Sequence, residues 1–330
     1  MLRSETGDDP GRMRAALAGL KAYQQAKRPK RENAAPVVAR IGRATLRSYG
    51  GAGKKVIFVP SLINGSEVLD LTPENSLIAW LSERGVAAHL LDWGEAQPDE
   101  SALTIVGHAE RYVVPLMDSI GPDVALVGYC LGGLIAIAAS TIRPPTALAL
   151  IATPWDFAGF PSQAREDLQH VWDVAAQPAE ALGLFPAEVL QQLFWRLDPT
   201  RTIRKFEQFA DKDPASPEGV NYIAVEDWAN GGGPLTFAAG RDLMDGMLVR
   251  NVTGEGRWMM GDRVIDPATL DIPILNIVST VDRITPAATA WTGGERIALD
   301  QGHVGMMVGG RAKSILWTRL SDWLSQLRDS

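Results

Sequence analysis

The sequence predicts an α/β protein: a mostly parallel central sheet flanked by helices on both faces, with a helical cap inserted into it. Three observations carry this. Strand-like and helix-like segments alternate between residues 37 and 154. The alternation stops over 155–236 and returns at 272. Runs such as KKVIFVP are apolar without a break, as strands covered on both faces are.

The elements follow in chain order. Residues 12–27 (RMRAALAGLKAYQQAK) combine helix formers with a loose apolar stripe, so the first element is a helix. KRPKRENAAP comes next, basic and containing proline. So short a charge run reads as a solvated linker, with contact to an anionic surface as the other reading. Residues 1–36 are thus an N-terminal helix and linker, and 37–330 the main domain. VVARIGRATLRSYG alternates, and Gly50 and Gly51 turn the chain into the buried strand KKVIFVP. SLIAWLSERG is a helix ending at Gly85, and VAAHLLDWG is the next strand. A longer helix covers about 101–119. DVALVGYC is a strand, LGGLIAIAAS opens a helix, and TALALIATP is a further strand. Residues 155–236 hold no buried-strand run, but four of the ten Trp and six of the eight Phe, so they read as a helical insertion. IPILNIVSTVD restores the strand pattern, ERIAL is a short strand, and AKSILWTRLSDWLSQL is the last helix. There is no internal repeat and no low-complexity tract.

Bulk numbers bound the function. The chain has 330 residues, 46% of them hydrophobic, which is enough for a large core. A net charge of −7 argues against nucleic acid, which calls for a basic face. One cysteine excludes an internal disulfide. The start, MLRSETGDDPGRMRAAL, lacks the apolar core of a secretion signal. No apolar run approaches a membrane span. The expectation is a cytoplasmic protein.

That single cysteine sits in VGYCLGGL, between Gly128 and Gly132. A lone thiol is often buried and inert. An apolar strand before it, small residues around it and a helix after it instead make G-x-C-x-G a nucleophile elbow with Cys in place of Ser. The turn lifts the side chain above the sheet edge, and the helix N-terminus favours thiolate. On the α/β-hydrolase fold that carries such elbows, the chain order is nucleophile, acid, His. Of four His, only His303 follows Cys130 in a late loop, since His170 lies in the helical insertion. Asp282 follows the strand ILNIVST. The expected set is therefore Cys130, Asp282 and His303. Two backbone amides should form an oxyanion hole. Leu131, next to the nucleophile, supplies one. Ile63 supplies the other, with Leu62 as its alternative, from the SLING loop after VIFVP.

The segments PSLINGSEVLDLTPENSLIAWL, HLLDWG, DVALVGYCLGG, ATPWDF, EDWANGGGPL, PILNIVSTVDRITP and GHVGMMVGGRAK cover most of 55–325. Together they resemble the polyhydroxyalkanoate synthases, a cysteine-dependent branch of the α/β-hydrolase superfamily. The wording of LDWG and of HVG–VGG is most similar to the short synthase subunits that act with a partner. The resemblance implies that Cys130 attacks a 3-hydroxyacyl-CoA thioester and that His303 takes the thiol proton. Asp282 supports His303 or helps activate the incoming hydroxyl. The hydroxyl end of a growing polyester then takes the acyl group. A Cys acyl-enzyme is itself a thioester, so it stays reactive toward an alcohol. The matched segments supply Leu62, Asn64, Trp155, Phe157, Trp228 and Leu235 as substrate-binding candidates. The resemblance implies no metal and no cofactor beyond coenzyme A as part of the substrate. It also implies a homodimer or a second synthase subunit, and a place at the storage-granule surface. Two features depart from the family pattern. Arg283 stands where His is usual, and 231–239 is small and poor in aromatics.

The aromatic insertion has two readings. Trp155, Phe157, Phe160, Trp195 and Phe209 form a dry lid over an oily chain, or they are the small core of a helical subdomain. Two other functions stand beside the acyltransferase. One is a hydrolase on the same Cys: a thioesterase, an esterase or an intracellular polyester depolymerase. The other is a non-catalytic synthase partner, against which the intact Cys–Asp–His set argues.

Overall fold

The computed structural model describes residues 5–7, 9–28, 35–197 and 199–327, with the side chains of 193–197, 199 and 201 left aside. Eight strands form the main sheet: β1 (Val37–Ile41), β2 (Ala44–Ser48), β3 (Lys55–Val59), β4 (Ala87–Asp92), β5 (Val124–Tyr129), β6 (Leu148–Ile151), β7 (Ile274–Ser279) and β8 (Glu295–Leu299). Their order is β1-β2-β4-β3-β5-β6-β7-β8. The hairpin β1–β2 and the β2–β4 pair are antiparallel, and every later pairing is parallel. The apolar text explains the central strands. VALVGY and ILNIVS are buried at all six positions, whereas VVARI at the edge is largely exposed.

Alternate residues of β3 feed two cores. Ile57 and Val59 join one cluster, while Val56 and Phe58 join the other. The helices divide the same way. α1 (Pro10–Gln25) lies outside the sheet layers. α2 (Leu77–Ser82) covers one face. α3 runs through Ile105–His108, a π turn at Ala109–Val113 and Val114–Ile120, and covers the other face with α4 (Leu131–Ile142). α3 begins later than the sequence suggests because Thr104 caps it, its hydroxyl accepting from the Gly107 amide at 2.8 Å.

Between β6 and β7 the chain builds α5 (Ser162–Leu182), α6 (Ala187–Leu197), α7 (Pro199–Phe209) and α8 (Pro217–Asn230). α9 (Phe237–Arg241) continues into the π-helical Asp242–Val249. Trp172 packs 5.8 Å from Phe185 and 6.2 Å from Phe237, and Phe209 stacks 4.2 Å from Tyr222. Trp172 and Phe185 belong to the same core that packs one face of the sheet, while Phe209 and Tyr222 join the cap helices to each other. After β8 come the short α10 (Gly305–Val308) and α11, made of Lys313–Trp317 and Thr318–Gln326, which closes the same face as α2. No helix among the described residues is long and apolar enough to cross a membrane.

Candidate active site

Cys130, Asp282 and His303 follow β5, β7 and β8, so the sheet brings all three to the carboxyl ends of its strands. Cys130 has φ 53° and ψ −125°, a conformation rare outside glycine. Its own N–H donates to the Ile151 carbonyl at 2.9 Å, and its carbonyl accepts from Gly133 at 2.9 Å. The turn is tight enough to need glycine on both sides. A Cβ on Gly128 would lie 2.4 Å from the Gly133 Cα, and one on Gly132 would lie 2.2 Å from the Val59 oxygen.

His303 Nδ1 lies 2.7 Å from Asp282 Oδ2. Asp282 is held by its neighbours: Oδ1 accepts from the amides of Ile284 at 2.8 Å and Thr285 at 3.1 Å. Oδ2 also accepts the Thr285 hydroxyl at 2.8 Å. All three candidate side chains are buried. Burial alone would push the His303 pKa down. The Asp282 carboxylate and the Cys130 side chain outweigh it and hold His303 up at about 10. Burial pushes Asp282 the other way, but the same His303 and the Thr285 bonds hold its pKa below the usual 3.8. Tyr129 completes the setting, with its ring 5.1 Å from the imidazole and its hydroxyl donating to the His303 carbonyl at 3.3 Å.

A cavity of about 440 Å³ opens beside these groups. The sheet side gives it Ser61, Ile63 and Asn64, and the insertion gives it Trp228 and the ion pair of Lys205 with Glu226 at 2.5 Å. Arg283, at the position of the departure from the family pattern, also lines it.

Leu131 is the first residue of α4, so its amide is among those a helix leaves without an internal acceptor. The Ile63 amide is turned toward the Ser61 hydroxyl at 3.2 Å. Of the substrate-binding candidates, Asn64 and Trp228 reach the cavity. Trp155 and Phe157 do not. Trp155 packs 6.0 Å from Trp258 and donates its amide to the Thr289 carbonyl at 2.6 Å; Phe157 packs 5.7 Å from Phe160. The loop after β6 turns them into the core instead. Leu62 and Leu235 line a separate pocket of about 70 Å³ on the other side of the SLING loop, beside Trp93 and His108. The side chain of Trp195 lies outside the described residues.

Sequence reasoning passed over Thr285, Tyr129, Lys205 and Glu226. D-R-I-T after a strand carries a readable signal for the first of these, because an Asp side chain readily accepts from amides two and three residues on. Tyr129 stands directly before Cys130 in the elbow, but nothing in the sequence marks Lys205 and Glu226, which reach the site only through the fold.

The Alpha/beta hydrolase family model matches residues 56–308. The chain is 26% identical over 293 residues to a poly(3-hydroxyalkanoate) polymerase subunit PhaC of Haloferax mediterranei, covering 82% of this chain and 58% of that one. It is 23% identical over 287 residues to the subunit of that name from Haloarcula marismortui, covering 82% and 60%. It is 26% identical over 293 residues to that of Allochromatium vinosum, covering 82% and 80%. The chain thus spans about three fifths of the length of the two haloarchaeal relatives. A monoacylglycerol lipase of Paleococcus ferrophilus superimposes with a TM-score of 0.51 at 15% identity, covering 86% of this chain and 99% of that one. That likeness speaks for the fold alone. The family match and the relatives converge: the chain belongs to the alpha/beta hydrolase family, and its resemblance within it is to the polyhydroxyalkanoate synthases.

Proposed function

We propose that the chain is an acyltransferase of the polyhydroxyalkanoate synthase type. The observation that carries this is the line from Asp282 through His303 to Cys130, set in a strained elbow at the edge of a covered cavity. In this reading the Cys130 proton already rests on His303, which Asp282 helps to hold charged, and the sulfur attacks the carbonyl of a 3-hydroxyacyl-CoA. The carbon–sulfur bond to coenzyme A breaks, and the protonated His303 returns its proton to the leaving thiolate. A polyester hydroxyl then attacks the acyl-Cys and passes its proton to His303, which leaves a new ester and the Cys130 sulfur paired again with the protonated His303. The Leu131 amide steadies the oxyanion, and the Ile63 amide joins it by turning away from Ser61. Asn64 and Trp228 flank the substrate. Coenzyme A enters only as the leaving group. A homodimer or a second subunit, and a place at a granule surface, belong to the same proposal.

The test is to mix the purified protein with 3-hydroxybutyryl-CoA, follow thiol release beside Cys130→Ala, and weigh the product. Release that needs Cys130, with product growing in length, supports the synthase. Release with only free hydroxy acid makes the chain a hydrolase. Equal release by both proteins sinks the proposal.

A further inference from the structure

Helix α1 lines no part of the cavity, yet its contacts reach the residues just behind it. It crosses α7 so closely that a Cβ on Gly19 would lie 1.9 Å from the Phe206 carbonyl oxygen. The Tyr23 ring packs 6.0 Å from that of Phe206, and its hydroxyl donates to Asp227 Oδ1 at 2.6 Å. Arg28 grips the same carboxylate with two nitrogens, Nε to Oδ2 at 2.9 Å and Nη2 to Oδ1 at 3.1 Å. Its guanidinium also lies 4.8 Å from the centre of the Tyr23 ring. Arg12 adds an ion pair to Glu207 at 3.0 Å. Helix α1 and the Arg28 that follows it thus tie α7 and α8 together.

The next residues along both cap helices are cavity residues. Phe206 follows Lys205, and Asp227 lies between Glu226 and Trp228. Trp228 carries the link inward: its indole N–H donates to the Gly65 carbonyl at 2.8 Å, and its carbonyl accepts from Asn64 Nδ2 at 3.3 Å. A run of bonds therefore joins Tyr23 and Arg28, through Asp227 and Trp228, to the loop that bears Ile63. A single exposed ion pair holds little, but a bidentate Arg–carboxylate pair that also accepts a tyrosine hydroxyl fixes geometry.

We propose that α1, with the Arg28 just beyond its end, is a brace that holds the cap closed over Cys130. Tyr23 and Arg28 are its positioning residues, acting through Asp227 on Trp228 and the SLING loop. The proposal concerns access to the cavity and does not need the thioester reading to hold.

Cys130 is the only thiol in the chain, so its alkylation by iodoacetamide reads access without any substrate. The 330-residue chain is compared with Tyr23→Phe, Arg28→Ala, Asp227→Asn, Arg28→Ala on the Asp227→Asn background, and the double variant Tyr23→Phe/Arg28→Ala, each checked for native circular dichroism. The double variant should be alkylated about five- to ten-fold faster, as expected for losing charge-assisted bonds that hold a closed state. Arg28→Ala should add nothing once Asp227→Asn is present, since both break one contact. A folded double variant alkylated at the parent rate overturns the brace. Full additivity with Asp227→Asn overturns the route through Asp227. If the double variant does not fold, Tyr23→Phe decides, because it removes one hydroxyl: faster alkylation supports the brace and an unchanged rate overturns it. Loss of thioester turnover in the parent would sink the acyltransferase proposal and leave this result standing.

Discussion

A backbone held as that of Cys130 is costs about 1–3 kcal/mol in any non-glycine residue. The conformation is kept because the strand before it and the helix after it leave no other path. Cys130→Gly should therefore be more stable than Cys130→Ala by about 1 kcal/mol, read from urea midpoints, while both lose the thiol. Equal midpoints would mean that the turn is not strained. The buried pair beside it has a signed pH dependence. His303 is raised from 6.5 to about 10, so its charge stabilises the fold fully below about pH 6.5 and ceases to as pH climbs toward 10. Asp282 is held below 3.8, so its contribution is present above that value and lost as pH falls through its folded value. The stability difference between the parent and His303→Gln should be largest between roughly pH 4 and 6.5 and shrink on both sides. A difference that stays flat from pH 6.5 to 10 would refute the assignment. Cys130, Asp282 and His303 were legible in sequence because chain order and strand ends narrow the choice. That Trp155, Phe157, Leu62 and Leu235 lie away from the cavity was not legible, for the opposite reason. An aromatic or leucine beside a matched segment carries no mark of which way the loop turns it.

At the scale of elements, the elbow depends on how closely β5 and α4 approach the end of β3. The methyl of Gly132→Ala would meet the Val59 and Pro60 oxygens at 2.2 and 2.3 Å, and backbone cannot yield as a flexible side chain can. We expect Gly132→Ala to cost about 1–3 kcal/mol or more, as overpacking does, and to displace Cys130. A normal urea midpoint would contradict the packing described here. The strands were the most readable elements, since runs such as VALVGY are apolar at every place a two-sided burial demands. Helix ends were less so: α3 starts where Thr104 caps it, and no apolar period marks that residue. The aromatic content of the insertion suited a lid and a subdomain core equally in sequence. In the fold, Trp172, Phe185 and Phe209 serve the core, while Trp228 is the one aromatic of the insertion, among the described residues, that lines the cavity.

For the whole molecule, the charge of −7 and pI of about 5.2 predict least solubility near that pH and recovery above pH 7, measurable by turbidity. A minimum far from pH 5.2 would mean that charged groups outside the active site are also strongly perturbed. The sheet class and the insertion were visible in the sequence because alternation and its interruption are long-range patterns. The order β2-β4-β3 was not, because nothing local tells a strand which neighbour it will pair with.

The roof of the cavity is one unbroken stretch of chain, which leaves after β6 and rejoins before β7, whose strands are neighbours. Nothing between those two points bears the thiol, the imidazole or the carboxylate. On the proposed function, the reacting groups and the cap's share of the cavity wall are therefore encoded in separable text. A lineage, or an engineer, can rewrite the segment that greets the substrate without redrafting the groups that transform it.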